Sequence, residues 1–175
     1  MLFRSFWSIT PPVLEFDRIN LDSQGWLWSD ARVPFLWNGS RSNACLTSRW
    51  DNYPTRVDLE ISAVGRSLYA LIAGTSNPMQ VGLANAALYL TYADGSTDTL
   101  ELIHPSNYLS LSGRYDWEID AFALPNPAPQ LQLGEHLRAV VITCSLRPNL
   151  ELVRVSLECL SQEVVVGLLG LTVVA

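Results

Sequence analysis

The segment from residue 86 to residue 103 constrains the fold most strongly, because it has the pattern of two β-strands joined by a tight turn. Apolar and polar side chains alternate along residues 87–92 and again along residues 97–103, which is typical of a sheet with one buried and one solvated face. Asp94-Gly95 lies between these arms, and glycine adopts the positive φ of a primed turn without strain. The segment therefore predicts a β-hairpin closed by a primed turn.

Several further segments have strand character, and none has a convincing helical pattern. Residues 150–160 are long enough for a helix, but Val153, Val155 and Leu157 recur at period two, which predicts a strand. Residues 68–74 are apolar on both sides and predict a strand buried in the middle of a sheet. Prolines punctuate residues 122–132 and predict an extended connector there. The remaining predicted strands are residues 3–9, 13–19, 56–62, 137–146 and 164–174.

These strands predict a β-sandwich. The chain has 175 residues, of which 49% are hydrophobic and 16% charged, so it can bury a core and is not disordered. Two antiparallel sheets packed face to face bury about eight or nine one-sided strands most simply. We therefore expect an all-β fold, an antiparallel two-sheet β-sandwich of jelly-roll type with long aromatic-bearing loops. We expect residues 1–175 to form a single domain, loop-rich at 20–56 and 104–136.

Charge and hydropathy exclude several classes of function. The formal net charge of −6 would repel a nucleic-acid backbone. No stretch reaches the roughly 18 to 20 apolar residues of a membrane helix, and residues 1–7 are too polar and too short for a secretory signal. We expect no nucleic-acid partner, no membrane segment and no signal peptide. The chain is then either an intracellular protein or a piece of a longer one, and its compartment stays open.

No established catalytic or metal-binding motif is found. Cys45, Cys144 and Cys159 are an odd number without metal-ligand spacing, which predicts buried free thiols. His104 and His136 are the only histidines, and the chain has no Gly-x-Ser-x-Gly elbow, phosphate-binding loop or dinucleotide fingerprint. We therefore assign no catalytic residue, no metal and no cofactor, and expect that the protein is not an enzyme.

Aromatic side chains concentrate in the predicted loops, beside polar and charged ones. A sugar ring stacks its C–H face on an aromatic plane, and its hydroxyls bind carboxylate, amide and guanidinium groups. The alternative is that the rings plug the ends of the sandwich, as Trp26 and Trp28 would with one ring inward and one outward. The candidate glycan contacts are Trp50, Asp51, Tyr53, Asn107, Tyr108, Arg114 and Trp117.

Five sequence segments together carry a resemblance to a known family. They are Trp-Asp-Asn-Tyr-Pro at 50–54 and the segments 71–80, 90–95, 102–108 and 163–172. With them, residues 45–175 resemble the non-catalytic, galactose-binding-like jelly-roll sandwich associated with bacterial multidomain glycoside hydrolases. The resemblance implies a domain that either grips a glycan or supports a catalytic domain. No catalytic residue carries over, because the resemblance is to a non-catalytic part.

Three functional hypotheses stay open. The first is a carbohydrate-binding accessory module that uses the aromatic loops. The second is a structural sandwich, without a ligand of its own, that docks on a catalytic glycoside hydrolase domain or on itself. The third is a small glycoside hydrolase, in which a carboxylate pair such as Asp116 and Glu118 would need a separation that sequence does not give.

Overall fold

The computed structural model describes residues 21–37, 43–50, 52–75, 78–111, 128–134 and 137–175. These ranges contain eleven β-strands and one short 3-10 turn, Pro78–Gln80, but no α-helix. The all-β prediction is confirmed. The strands predicted at 3–9 and 13–19 lie outside the described residues.

The strands form three sheets in which every pairing is antiparallel. One sheet has four strands in the order β4-β10-β6-β7, another has five in the order β3-β11-β5-β9-β8, and β1 and β2 form a separate hairpin. The strands are β1 Trp26–Trp28, β2 Pro34–Leu36, β3 Cys45–Ser48, β4 Arg56–Ala63, β5 Ser67–Gly74, β6 Ala84–Tyr92, β7 Thr97–Ile103, β8 Gln130–Gln132, β9 Arg138–Ser145, β10 Leu152–Cys159 and β11 Val165–Val174.

The two larger sheets pack face to face over an inner core, which confirms the antiparallel β-sandwich. Alternate residues of each strand point inward, so one polar position separates successive core side chains in the four-stranded sheet. This sheet contributes Leu88, Leu90, Leu102, Val155 and Leu157, and the five-stranded sheet contributes Leu68, Ile72, Val140, Ile142, Val166 and Leu168.

A second, outer core lies on the other side of the five-stranded sheet, beneath the β1–β2 hairpin. Leu27 and Phe35 point from the hairpin into this core and are almost completely buried. Gly170 makes the close approach possible, because a Cβ there would lie 3.0 Å from the Phe35 ring. The hydroxyl of Thr172 also donates to the Pro34 carbonyl. The five-stranded sheet is therefore covered on both faces, which explains why residues 68–74 are apolar on both sides.

The central hairpin is present, but its turn differs from the prediction. Gly95 N–H donates to the Tyr92 carbonyl at 2.9 Å, and Tyr92 N–H donates to Ser96. The connection is thus a three-residue loop in which Gly95, at φ 83°, adopts the left-handed conformation and Asp94 does not. The prediction of a primed turn was wrong because the sequence Asp-Gly also suits a three-residue loop. In this loop the Asp94 carboxylate accepts from Ser96 N–H at 2.9 Å.

The β1–β2 hairpin has the same kind of turn, with arginine in place of glycine. Arg32 N–H donates to the Ser29 carbonyl at 2.8 Å, and Ser29 N–H donates to Val33. Arg32 has φ 57°, so it occupies the left-handed position that Gly95 fills in the other hairpin. A residue with a Cβ is strained in this conformation, whereas glycine is not.

The prediction of an extended connector over residues 122–132 is wrong for its last three residues. Gln130–Gln132 is a strand paired with β9, and Leu131 is buried in the outer core. The physical reason is that Pro129 precedes the strand, where a proline needs no ladder hydrogen bond, and its carbonyl still accepts from Val141 N–H at 2.8 Å. Residues 112–127 lie outside the described ranges.

We predict opposite stability changes at the two equivalent turn positions. Gly95→Ala should lower the free energy of unfolding by roughly 1 kcal/mol, and Arg32→Gly should raise it by roughly 0.5 kcal/mol. A Cβ at Gly95 meets no atom within 4 Å, so its effect is confined to the backbone. Urea denaturation of both variants measures the changes, and a stabilising Gly95→Ala would contradict this turn geometry.

The three cysteines are free thiols, as predicted, and burial is confirmed for Cys144 and Cys159. It was wrong for Cys45, which is half-buried because it lies in the edge strand β3. Burial raises the pKa of Cys45 and Cys159 and raises that of Cys144 to about 11. Because the thiolate is the reactive species, we expect slow labelling of the native protein by a disulfide reagent at about pH 8. All 3 cysteines should react in guanidinium chloride, and a fast-reacting thiol in the native protein would contradict this prediction.

Candidate functional site

Four of the five segments on which the predicted resemblance rests have an end at the same edge of the sandwich. We call this the loop end, formed by residues 49–50, 52–55, 75, 78–83, 104–111 and 160–164. The strand register brings them together, since Ser48 pairs with Val165, Val166 with Gly74, and Ala84 with Ile103. The fifth segment, 90–95, forms the hairpin turn at the opposite end.

Short hydroxyl side chains tie the loops to one another. The Ser48 hydroxyl donates to the Val164 carbonyl at 2.8 Å and accepts from Trp50 N–H at 3.1 Å. Thr75 exchanges two hydrogen bonds with Val165, each 2.8 Å long. Arg49 adds a hydrogen bond to the Leu160 carbonyl at 3.1 Å. The loop from 49 to 55 is therefore anchored to the start of β11, although none of these side chains is a predicted site residue.

Asn85 connects a second pair of loops. It lies at an irregularity in the β6–β7 register, and its buried amide donates to the carbonyls of Gln80 and Leu83 at 3.0 and 3.3 Å. The backbone carbonyl of Asn85 accepts from Leu160 N–H and Ser161 N–H. The sequence signal for this role is a polar amide at the start of an otherwise apolar strand, which the sequence analysis did not use.

Trp50 is the predicted site residue that the structure presents to solvent. Its side chain is 68% exposed, and Arg49 and Asn52 on either side of it in the loop are also exposed. Tyr53 is half-buried and packs against the outer core. Asp51 lies outside the described residues. The loop thus exposes the Trp50 ring together with the Arg49 guanidinium and the Asn52 amide. The Ser48 hydroxyl holds the backbone of Trp50 through a hydrogen bond.

Asn107 and Tyr108 have roles in the fold instead. Tyr108 is 0% exposed in the inner core, and its hydroxyl donates to the Thr75 carbonyl at 3.3 Å. Asn107 closes the turn after β7, because its amide oxygen accepts from Ile103 N–H and its amide nitrogen donates to the Glu101 carbonyl, both at 2.7 Å. A completely buried ring has no face for a sugar, so the prediction of Tyr108 as a glycan contact was wrong. The half-buried Asn107 already uses its amide within its own turn, and its contact with a glycan stays a prediction.

The other two predicted contacts, Arg114 and Trp117, lie outside the described residues. His104, which precedes them in the same connection, is buried, and its Nδ1 donates to the Tyr108 carbonyl at 3.1 Å. The histidine ring also packs against the Tyr108 ring, with centroids 5.5 Å apart. In the described part of this connection, the His104 and Tyr108 side chains therefore pack in the core. The contacts at Arg114 and Trp117 stay predictions.

Met79 and Leu83 are exposed apolar side chains that the search for aromatic residues missed. Met79 is 83% exposed and Leu83 is 55% exposed, both in the loop between β5 and β6. A signal was present, because both lie in a turn-rich segment after Asn77-Pro78, where no strand would bury them. The loop end thus carries exposed apolar surface in addition to Trp50.

Charged side chains are concentrated elsewhere, on the outer face of the four-stranded sheet. Arg56 pairs with Asp58 at 2.9 Å, and Arg154 pairs with Glu60 at 2.7 Å. Hydrogen bonds from Ser156 and then from Arg56 hold the pKa of Asp58 below its ordinary value. These pairs are exposed and satisfy one another, as on an ordinary solvated sheet face.

The described ranges contain no group of three or more histidine, cysteine or acidic side chains placed to hold a metal ion. Within the same ranges, no helix is long and apolar enough to cross a membrane.

The function has to be inferred from these residues themselves. Comparison of the chain with protein-family models, with curated proteins and with solved structures gives no match.

Proposed function

We propose that the protein is a non-catalytic, carbohydrate-associated β-sandwich module that contacts a glycan through the loop end. The observation that carries this proposal is Trp50, a large aromatic ring left mostly in solvent on an anchored loop. An exposed tryptophan of this kind has an unfavourable apolar surface in water, which stacking against the C–H face of a sugar would cover.

The polar side chains next to Trp50 in the loop suit the hydroxyl groups of a sugar. Arg49 and Asn52 are exposed in the same loop, and guanidinium and amide groups bind hydroxyls. The hydrogen bonds from Ser48 and Arg49 fix the loop before any ligand arrives. Such a preorganised loop loses less conformational entropy on binding than a mobile one.

We infer further that the sandwich is of the jelly-roll type. The order β3-β11-β5-β9 in one sheet faces the order β4-β10-β6-β7 in the other. Successive strands from β3 to β6 alternate between the two sheets, and the last strands return between the first ones, as in a double Greek key. This order supports the resemblance to jelly-roll modules of bacterial glycoside hydrolases, and a galactose-binding-like origin is part of the same proposal.

A docking role is the second candidate, favoured by Met79 and Leu83. Both are exposed at the same end as Trp50, and neither offers a polar group to a sugar. Together these side chains would give a catalytic glycoside hydrolase domain, or a second copy of this chain, an apolar contact. The module would then support its partner rather than hold a glycan.

We predict that Trp50→Ala weakens glycan binding by roughly tenfold or abolishes it, because the stacking surface is removed. Isothermal titration calorimetry against soluble xylan, β-glucan, galactomannan and pectin measures the loss, with circular dichroism to confirm folding. Met79→Ser is the matched control, since it alters an exposed side chain at the same end without removing an aromatic ring, and it should leave glycan affinity unchanged.

The opposite pattern would support docking. If no glycan binds the unmodified protein, and Met79→Ser reduces self-association or association with a catalytic domain in analytical ultracentrifugation, the glycan proposal is wrong. Binding that Trp50→Ala leaves intact would also contradict a contact at the loop end.

A further inference from the structure

The outward face of the β1–β2 hairpin displays a second set of aromatic and apolar side chains. Trp26 is paired with Leu36 and Trp28 with Pro34, so these four side chains lie on one face, and Leu27 and Phe35 lie on the other. Trp28 is 47% exposed and Leu36 is 63% exposed. The expectation of one ring inward and one outward was wrong, because residues two apart on a strand point the same way. We call this surface the hairpin face.

The inward side chains of the hairpin attach the hairpin face to the five-stranded sheet. The inward side chains Leu27 and Phe35 are buried in the outer core, and the Phe35 ring lies against Gly170 of β11. The exposed residues therefore belong to a two-stranded ribbon fixed to the five-stranded sheet.

A carboxylate holds the Trp28 indole in place. Asp22 Oδ2 accepts from the indole Nε1–H at 2.8 Å, and Oδ1 accepts from the backbone N–H groups of Gln24 and Trp26 at 2.8 and 2.9 Å. The hydrogen bond from Trp28, followed by that from Trp26, holds the pKa of Asp22 below its ordinary value. The polar edge of the indole is thus satisfied, so the ring presents an apolar surface to solvent, and Oδ2 keeps a lone pair for a further donor.

Trp28 and Leu36 are the exposed members of the hairpin face, and Trp26 and Pro34 are half-buried beside them. Four side chains cover less than the roughly 800 Å² that each partner buries in a typical protein–protein interface, so the face fits a small or extended ligand better than a folded partner. Trp26 and Trp28 lie side by side, with Cα atoms about 6.7 Å apart along the strand. Two adjacent indoles beside a carboxylate suit an extended ligand that has apolar C–H faces and hydroxyl groups at its rim.

We propose that the hairpin face is a carbohydrate-contact site, in which Trp26 and Trp28 stack on adjacent units of a saccharide chain and Asp22 accepts a hydroxyl. It is separate from Trp50, because Phe35 lies against Gly170 whereas Ser48 pairs with Val165, about 17 Å away along β11. It does not require the loop end to bind a glycan, so either site can fail alone.

Indole N–H signals in proton–nitrogen correlation spectra test this site directly. The full chain is labelled with nitrogen-15 and titrated with cellohexaose, xylohexaose and mannohexaose, and Trp28→Phe and Trp26→Phe assign the two signals. We expect one of these saccharides to shift the Trp28 and Trp26 signals saturably, in the unmodified protein and equally in Trp50→Ala. Trp28→Ala should weaken binding about tenfold.

Two matched comparisons separate ligand contact from folding. Leu36→Ser should weaken binding severalfold, whereas Leu83→Ser, a similarly exposed leucine at the loop end, should not. Asp22 also acts as a positioning residue, so Asp22→Ala and Asp22→Asn should both move the Trp28 indole signal of the ligand-free protein and weaken binding. A single amide oxygen cannot accept from the indole and from the backbone N–H groups of Gln24 and Trp26 together.

The outcomes distinguish this site from the proposed function. Shifts at Trp28 that survive Trp50→Ala support the hairpin face even if Trp50 binds nothing. If only the Trp50 signal moves, or no saccharide moves Trp26 and Trp28, the inference is overturned. It is also overturned if those two signals change with protein concentration alone and the sedimentation coefficient rises with them, since the face would then be a contact between copies.

Discussion

Burial of both faces of the five-stranded sheet is the constraint on which the rest of the structure depends. The inner core lies on one side of this sheet and the outer core on the other, so its strands cannot alternate apolar and polar residues as β4 does. Close packing also favours glycine at positions besides Gly170. A Cβ at Gly167 would lie 2.4 Å from Leu46, and one at Gly74 would lie 2.4 Å from the Val165 carbonyl. Among the residues that the structure describes, the four-stranded sheet packs one face on the inner core and bears ion pairs on the other.

The same burial explains the form of the loop end. Strands buried on both faces leave their last backbone groups away from water, where an unpaired N–H or carbonyl is costly. Ser48 and Thr75 satisfy several of these groups with side-chain hydrogen bonds. The loop backbone becomes fixed as a result, including that of Trp50, whose N–H donates to the Ser48 hydroxyl.

Sequence periodicity predicted the long strands well, because β4, β6 and β10 each have one face on the inner core, so apolar side chains recur at every second residue. It missed the β1–β2 hairpin, since three-residue strands carry little periodicity and Arg32 stands where a glycine would have marked the turn. The site was only partly predictable for a related reason. Trp50 and Tyr108 both occur in polar, loop-like segments, yet one faces solvent and the other fills the core. Only the packing of distant strands determines which way a loop aromatic points.

The outer core bears on where the folded unit begins. The resemblance predicted from the sequence starts near position 45, whereas Leu27 and Phe35 come from well before it and cover the outward side of β5, β9 and β11. A protein trimmed to the region of resemblance would expose Leu71, Val141 and Leu169 to water. The cooperative unit is therefore longer than the region of predicted resemblance, and a boundary drawn at β3 would divide a single hydrophobic core.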